Sequence, residues 1–72
     1  MDDFSLELKY FSKVVRDRRH KLDLSQEEMA ELCHCHVNAY GRIERGEAVP
    51  SFFMILKIAN ALEISPRELM PY

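Results

Sequence analysis

Residues 24–46 decide the fold: Leu24-Ser25-Gln26-Glu27-Glu28-Met29-Ala30-Glu31-Leu32-Cys33-His34-Cys35-His36-Val37-Asn38-Ala39-Tyr40-Gly41-Arg42-Ile43-Glu44-Arg45-Gly46. Ser25 and Glu28 are spaced as a capping box, in which the serine takes the third amide and the glutamate reaches back. Leu24 and Met29 flank the box as a hydrophobic staple would. Met29, Ala30 and Cys33 continue an apolar face, and this helix is expected to stop near Cys33 or His34. A second helix is expected over His36–Arg45, closed by Gly46, because a left-handed cap favours glycine. Its apolar positions, Val37, Tyr40 and Ile43, repeat every third residue, whereas Asn38, Gly41, Arg42, Glu44 and Arg45 make the rest polar. A helix so thinly apolar is held by its neighbours and leaves a wet face free to touch something.

Outward from this pair, Ser5 to about Lys21 reads as a first helix. Phe11, Val14, Val15 and Leu22 recur at helical spacing. Its end is basic, with Arg16, Arg18, Arg19, His20 and Lys21, which suits the negative end of the helix dipole. Those cations fit a solvated end equally with contacts to a phosphate backbone or an internal carboxylate. Beyond Pro50, Ser51 caps a fourth helix over about Phe52–Leu62. Ser65-Pro66-Arg67-Glu68 opens a short fifth that ends at Pro71. The expected fold is all-α, a compact five-helix arrangement in a single domain over residues 1–72, with the motif core at about 25–45.

Composition narrows the class. The chain has 72 residues, 47% of them hydrophobic, which is too apolar for disorder and enough for one core. No run approaches the roughly 18 apolar residues of a membrane span. The acidic start, Met1-Asp2-Asp3-Phe4, is unlike a signal peptide. A cytoplasmic protein with no membrane and no small-molecule substrate is expected. The net charge of −2 argues mildly against nucleic acid, yet residues 32–46 set Arg42 and Arg45 against Glu44 alone. No catalytic set or phosphate-cradling glycine loop is present, so no enzyme and no cofactor is expected.

Residues 25–45 hold two helices joined by about three residues, the spacing of a DNA-binding helix-turn-helix. The chain resembles the lambda-repressor-like helix-turn-helix domains of the Cro and phage-repressor (XRE-like) type, from about Val15 to Leu69. The carriers are Leu24-Ser25-Gln26-Glu27-Glu28-Met29-Ala30, Arg42-Ile43-Glu44-Arg45-Gly46, Pro50-Ser51 and Leu56-Lys57-Ile58-Ala59-Asn60-Ala61-Leu62. The resemblance implies double-stranded DNA as partner and the helix at 36–45 as the element that enters the major groove. It implies that Gln26 holds a phosphate and that Val37, Asn38 and Arg42 fall at base-contacting positions. His36 takes the N-cap place usually held by Ser or Thr. It also implies a buried ion pair between Arg19 and Glu44. Chemistry supports two assignments: Asn pairs bidentately with adenine and Arg with guanine, each worth about 1–3 kcal/mol of discrimination. Arg45 suits a phosphate or a solvated C-terminal cation, and Val37 suits a thymine methyl or the core.

This sequence departs from the family in places. Asp23, His34 and Glu63 stand where its turns often carry glycine. Asp and His tolerate the left-handed region; Glu63 does not obviously do so, and its turn is expected to differ. Arg18 stands where the family buries an aliphatic side chain. The loop Glu47-Ala48-Val49 lacks the backbone-binding lysines of some members, which implies weaker binding. Cys33-His34-Cys35-His36 has the residue types of a zinc shell but not the spacing, because adjacent residues cannot all converge on one ion. Cys33 and Cys35 instead match core positions, and free cysteine packs as a small hydrophobe.

The fourth helix is expected to bury Phe52, Ile55, Leu56, Ala59 and Leu62. Met54, Ile58 and Ala61 widen its apolar arc and Phe53 lies outside it, a surplus that marks an interface. Phe53, Met54, Ile64, Met70 and Tyr72 are the residues expected at a homodimer contact. Two functions follow. One is a homodimeric, sequence-specific transcriptional regulator of the repressor kind. The other is a protein-interaction module, antitoxin-like or anti-repressor-like, that keeps the fold with weak DNA binding.

Overall fold

The structure is a computed structural model and describes residues 4–71. Four α-helices and a 3-10 turn follow one another: α1 (Ser5–Lys21), α2 (Gln26–Leu32), α3 (Val37–Glu44), α4 (Phe52–Ala61) and the turn Pro66–Leu69. No strand occurs among the described residues. Among the described residues the fold is all-α, with four α-helices where five were expected. The Ser65–Glu68 capping box does form, but the helix ends after four residues, and Met70 is extended at φ −104°, ψ 144°. Pro71 accounts for this, since proline disfavours helical geometry in the residue before it.

The four α-helices close alike. After α1, the Asp23 amide donates back to the His20 carbonyl and the Leu24 amide to that of Arg19. The same crossed pair follows α2 (His34 to Glu31, Cys35 to Ala30), α3 (Gly46 to Ile43, Glu47 to Arg42) and α4 (Glu63 to Asn60, Ile64 to Ala59). These are Schellman closures, which need a left-handed residue just past the helix. Asp23, His34, Gly46 and Glu63 supply it at φ 60°, 56°, 76° and 59°. The Glu63 turn therefore does not differ, contrary to expectation. Ile64 packs against the core beside it. Arg18 Nε also donates to the Leu62 carbonyl at 3.0 Å. A cation at a place where the family buries an aliphatic thus satisfies a carbonyl that the helix end would leave orphaned.

The core joins Phe11 and Val15 of α1, Met29 and Ala30 of α2, Tyr40 and Ile43 of α3, and Ile58, Ala59 and Leu62 from α4 and its cap. Cys33 and Leu69 complete it, with Val14, Leu22, Leu24 and Cys35 packed at its edge. Burial, aided by nearby Cys35, pushes the Cys33 thiol up to about 11, so it sits there as a protonated, inert hydrophobe. The α4 register differs from expectation. The seam that faces the core is half-buried Ile55 with fully buried Ile58, Ala59 and Leu62, spaced by three, four and seven. That rotation turns out Phe52 (68% exposed) and Leu56 (37%), both expected in the core. No helix among the described residues is long and apolar enough to cross a membrane.

A left-handed non-glycine residue costs roughly 1–2 kcal/mol, less in part for glycine's larger chain entropy. Glu63→Gly is therefore expected to stabilise the protein by roughly 1 kcal/mol. In thermal unfolding that raises Tm by about 4–8 °C for a domain of this size. A lowered Tm would show that the Glu63 side chain makes a compensating contact.

Candidate nucleic-acid interface

A helix of eight residues is too short to stand alone, so packing must hold α3 in place. Its inner side buries Tyr40, Gly41, Ile43 and Glu44. Asn38, Arg42 and Arg45 point to solvent, and Val37 is half-buried with its side chain against the core. Gly41 and Glu44 thus belong to the inner side, although composition alone places them on the polar face. The N-terminus is capped by His36, whose Nδ1 accepts from the Asn38 amide at 3.1 Å. A neutral ring in that geometry carries its proton on Nε2.

Beneath this face lies a buried ion pair. Arg19 Nε donates to Glu44 Oε2 at 2.9 Å and Nη2 to Oε1 at 2.7 Å, a bidentate fork. Arg19 Nη1 also donates to the Leu24 carbonyl at 2.8 Å, and Gln26 Nε2 donates to Glu44 Oε1 at 3.2 Å. One carboxylate so ties α1, the start of α2 and the last turn of α3 together. Burial raises the Glu44 carboxyl, but the donors from Arg19 and Gln26 outweigh it, and its pKa lies below the ordinary 4.5. The Tyr40 hydroxyl is buried nearby without reaching hydrogen-bond geometry. Its burial, followed by Glu44's negative charge, pushes it well above the usual tyrosine range.

Arg45, at the C-terminal cap of α3, pairs with Glu47 (Nε to Oε2, 2.9 Å) while staying half in solvent. Its guanidinium folds back over Gly41. A Cβ on Gly41 would lie 2.9 Å from Arg45 Nη1 and 3.6 Å from Gln26 Oε1. Glycine at 41 thus brings Gln26 and Arg45 together at the side of α3. Sequence reasoning missed this role, although an isolated glycine inside a helical pattern is itself a sign of close approach. The structure also leaves Phe53 exposed (71%), with Met54 and Ile64 half-buried and Met70 at the surface. Tyr72, expected beside them, lies outside the described residues.

The Helix-turn-helix family matches residues 15–69, which include α2, its turn and α3 whole. The chain belongs to the helix-turn-helix family. Among its relatives is control protein C.BamHI of Bacillus amyloliquefaciens, 34% identical over 68 residues that cover 94% of this chain and 84% of that protein. The crystal structure of the restriction-modification controller protein C.AhdI from Aeromonas hydrophila superposes with a TM-score of 0.85 at 40% identity. That alignment covers 90% of this chain and 98% of the other. In this helix-turn-helix protein the family match spans both Arg19 and Glu44, so the buried pair lies within the shared unit.

The lowered Glu44 pKa fixes the sign of a pH effect. Between the folded value and 4.5 the unfolded chain holds a proton that the folded chain does not, so acid favours unfolding there. The stabilisation is complete above about pH 4.5 and is lost as pH falls through the folded value. Glu44→Gln should flatten this limb in unfolding followed against pH. It should also cost about 3–5 kcal/mol at neutral pH, because Arg19 is left buried and unpaired. An unchanged acid limb in the variant would place its origin in other carboxylates.

Proposed function

We propose that this DNA-binding helix-turn-helix regulator works as a homodimer that reads a two-fold-symmetric duplex site. One observation carries the reading: Asn38 and Arg42 lie four residues apart on the exposed side of a helix whose other side is pinned by a buried ion pair. Side chains at that spacing share one face, and both have bidentate partners on base edges. Asn38 and Arg42 take bases, and Val37 the apolar edge of one. His36 presents Nε2 at the start of the helix. Gln26 and Arg45, drawn together beside Gly41, take phosphates.

Likeness to two controller proteins supports regulation of transcription in a restriction–modification setting, within the cytoplasm. It supports a single non-enzymatic helix-turn-helix unit over the 72 residues. The dimer rests on α4, where Phe52 and Phe53 stack edge to face at 5.6 Å in solvent. Those exposed aromatics, next to Met54 in the helix, make a surface whose burial is favourable, whereas Ile64 lines a groove against α1 and Met70 one beside Ile55. A two-fold axis there sets the two α3 helices about 34 Å apart, one turn of duplex.

Selection of bound sequences from a random duplex library should enrich a two-fold-symmetric site. Arg42→Ala should relax one base position per half-site, a loss of about 1–3 kcal/mol in discrimination. No enrichment at low salt would overturn the DNA reading. Separately, Phe53→Asp should convert a dimer to a monomer in sedimentation equilibrium with Tm nearly unchanged, because Phe53 contributes little to its own subunit's core. A variant as dimeric as wild type would remove α4 from the interface.

A further inference from the structure

The loop after α3 carries Glu47, Ala48 and Val49 where some members of the family have backbone-binding lysines. The fold supplies cations from another element. Lys9, Lys13 and Arg16 recur along α1 at spacings of four and three, which sets them on one side of that helix. All three are exposed. They line a shallow open groove whose opposite wall is Arg45 and Gly46 at the end of α3, and none of its lining residues is acidic.

The two walls are locked close together. Ser12, on the same side of α1, is buried and donates to the Ile43 carbonyl at 3.4 Å. Gly46 lies so near that a Cβ there would meet Ser12 Oγ at 3.3 Å. The groove runs on from the α3 face through a shared residue, since Arg45 also folds over Gly41 beside Gln26. Asp17 holds Lys13 at 2.6 Å and Glu47 holds Arg45 at 2.9 Å, but both pairs are more than half exposed. Exposed pairs of this kind are weak and exchange readily for a stronger anion.

We propose that this α1–α3 groove is a second DNA contact, in which Lys9, Lys13 and Arg16 hold backbone phosphates of the duplex that α3 reads. The proposal rests on the DNA reading above and adds a site to it. From Lys9 to Arg16 the helix spans about 10 Å, a length of backbone that carries a few phosphates of one strand. Phosphates there carry no sequence information, so the groove sets affinity and register while Asn38 and Arg42 set specificity. A chain with net charge −2 thus concentrates cations where a duplex would lie.

The test is the salt dependence of binding to the selected duplex, measured by fluorescence anisotropy over a range of KCl. Wild type is compared with a Lys9→Ala, Lys13→Ala, Arg16→Ala triple variant and with Arg67→Ala as a single-charge control on the 3-10 turn. Thermal unfolding of each checks the fold. Each lost phosphate contact removes about 0.9 from the slope of log K against log salt, so the triple variant should lose roughly 2–3. Its selected sequence should be unchanged, and Arg67→Ala should behave as wild type. A folded triple variant with the wild-type slope would overturn the proposal while leaving the α3 reading intact. An equal loss of slope per charge removed in Arg67→Ala would overturn it too, by showing a diffuse charge effect. Failure of wild type to bind any duplex would instead overturn the underlying DNA reading, and the groove's assignment with it.

Discussion

The buried Arg19–Glu44 pair is the constraint on which the rest of this structure depends. Taking two charges out of water is costly and is offset only when nearly every donor and acceptor is used. Here the Arg19 guanidinium meets both oxygens of Glu44 and the Leu24 carbonyl, and Glu44 accepts a further bond from Gln26. Those partners come from α1, the loop before α2, the first turn of α2 and the last turn of α3. Moving any of these elements leaves a charge stranded. The pair therefore specifies one arrangement more than it adds stability.

That arrangement frees α3 for contact. A short helix normally spends its surface on packing, since tertiary burial supplies most helical stability. In α3 the apolar contribution is concentrated in Tyr40 and Ile43, and the pair through Glu44 does the remaining anchoring. The outer side, with Asn38 and Arg42, has no packing duty. The His36 cap and the Gly46 closure fix the ends of the same helix. Rigid presentation of a few polar side chains is what base readout requires, because bidentate hydrogen bonds tolerate little misplacement.

Much of this was legible in the sequence, and for identifiable reasons. Capping boxes are short-range chemistry, so Ser25–Glu28 marked the start of α2 and Ser65–Glu68 the final turn. The length of that last element was not legible from its start signal; Pro71 limited it to one 3-10 turn. The register of α4 differs because only Lys57 and Asn60 among its ten residues are polar, so the solvent side is marked sparsely and the apolar arc is wider than the seam that faces the core. Phe52 and Leu56 lie within that arc and yet at the surface of the fold. The Glu63 turn defeated propensity, since Schellman bonding and the Arg18–Leu62 contact outweigh the local cost. Of the interface, α3's exposed residues could be read from the pattern. The Gly41–Arg45–Gln26 cluster could not, because it joins elements distant in sequence.

The most direct test of the central claim is a crystal structure of the protein bound to its selected duplex. The account predicts α3 of each protomer in successive major grooves, with the Arg42 guanidinium within hydrogen-bond distance of a base edge and the Arg19–Glu44 pair intact beneath it. A complex in which α3 faces away from the duplex, or in which that pair has opened, would contradict it.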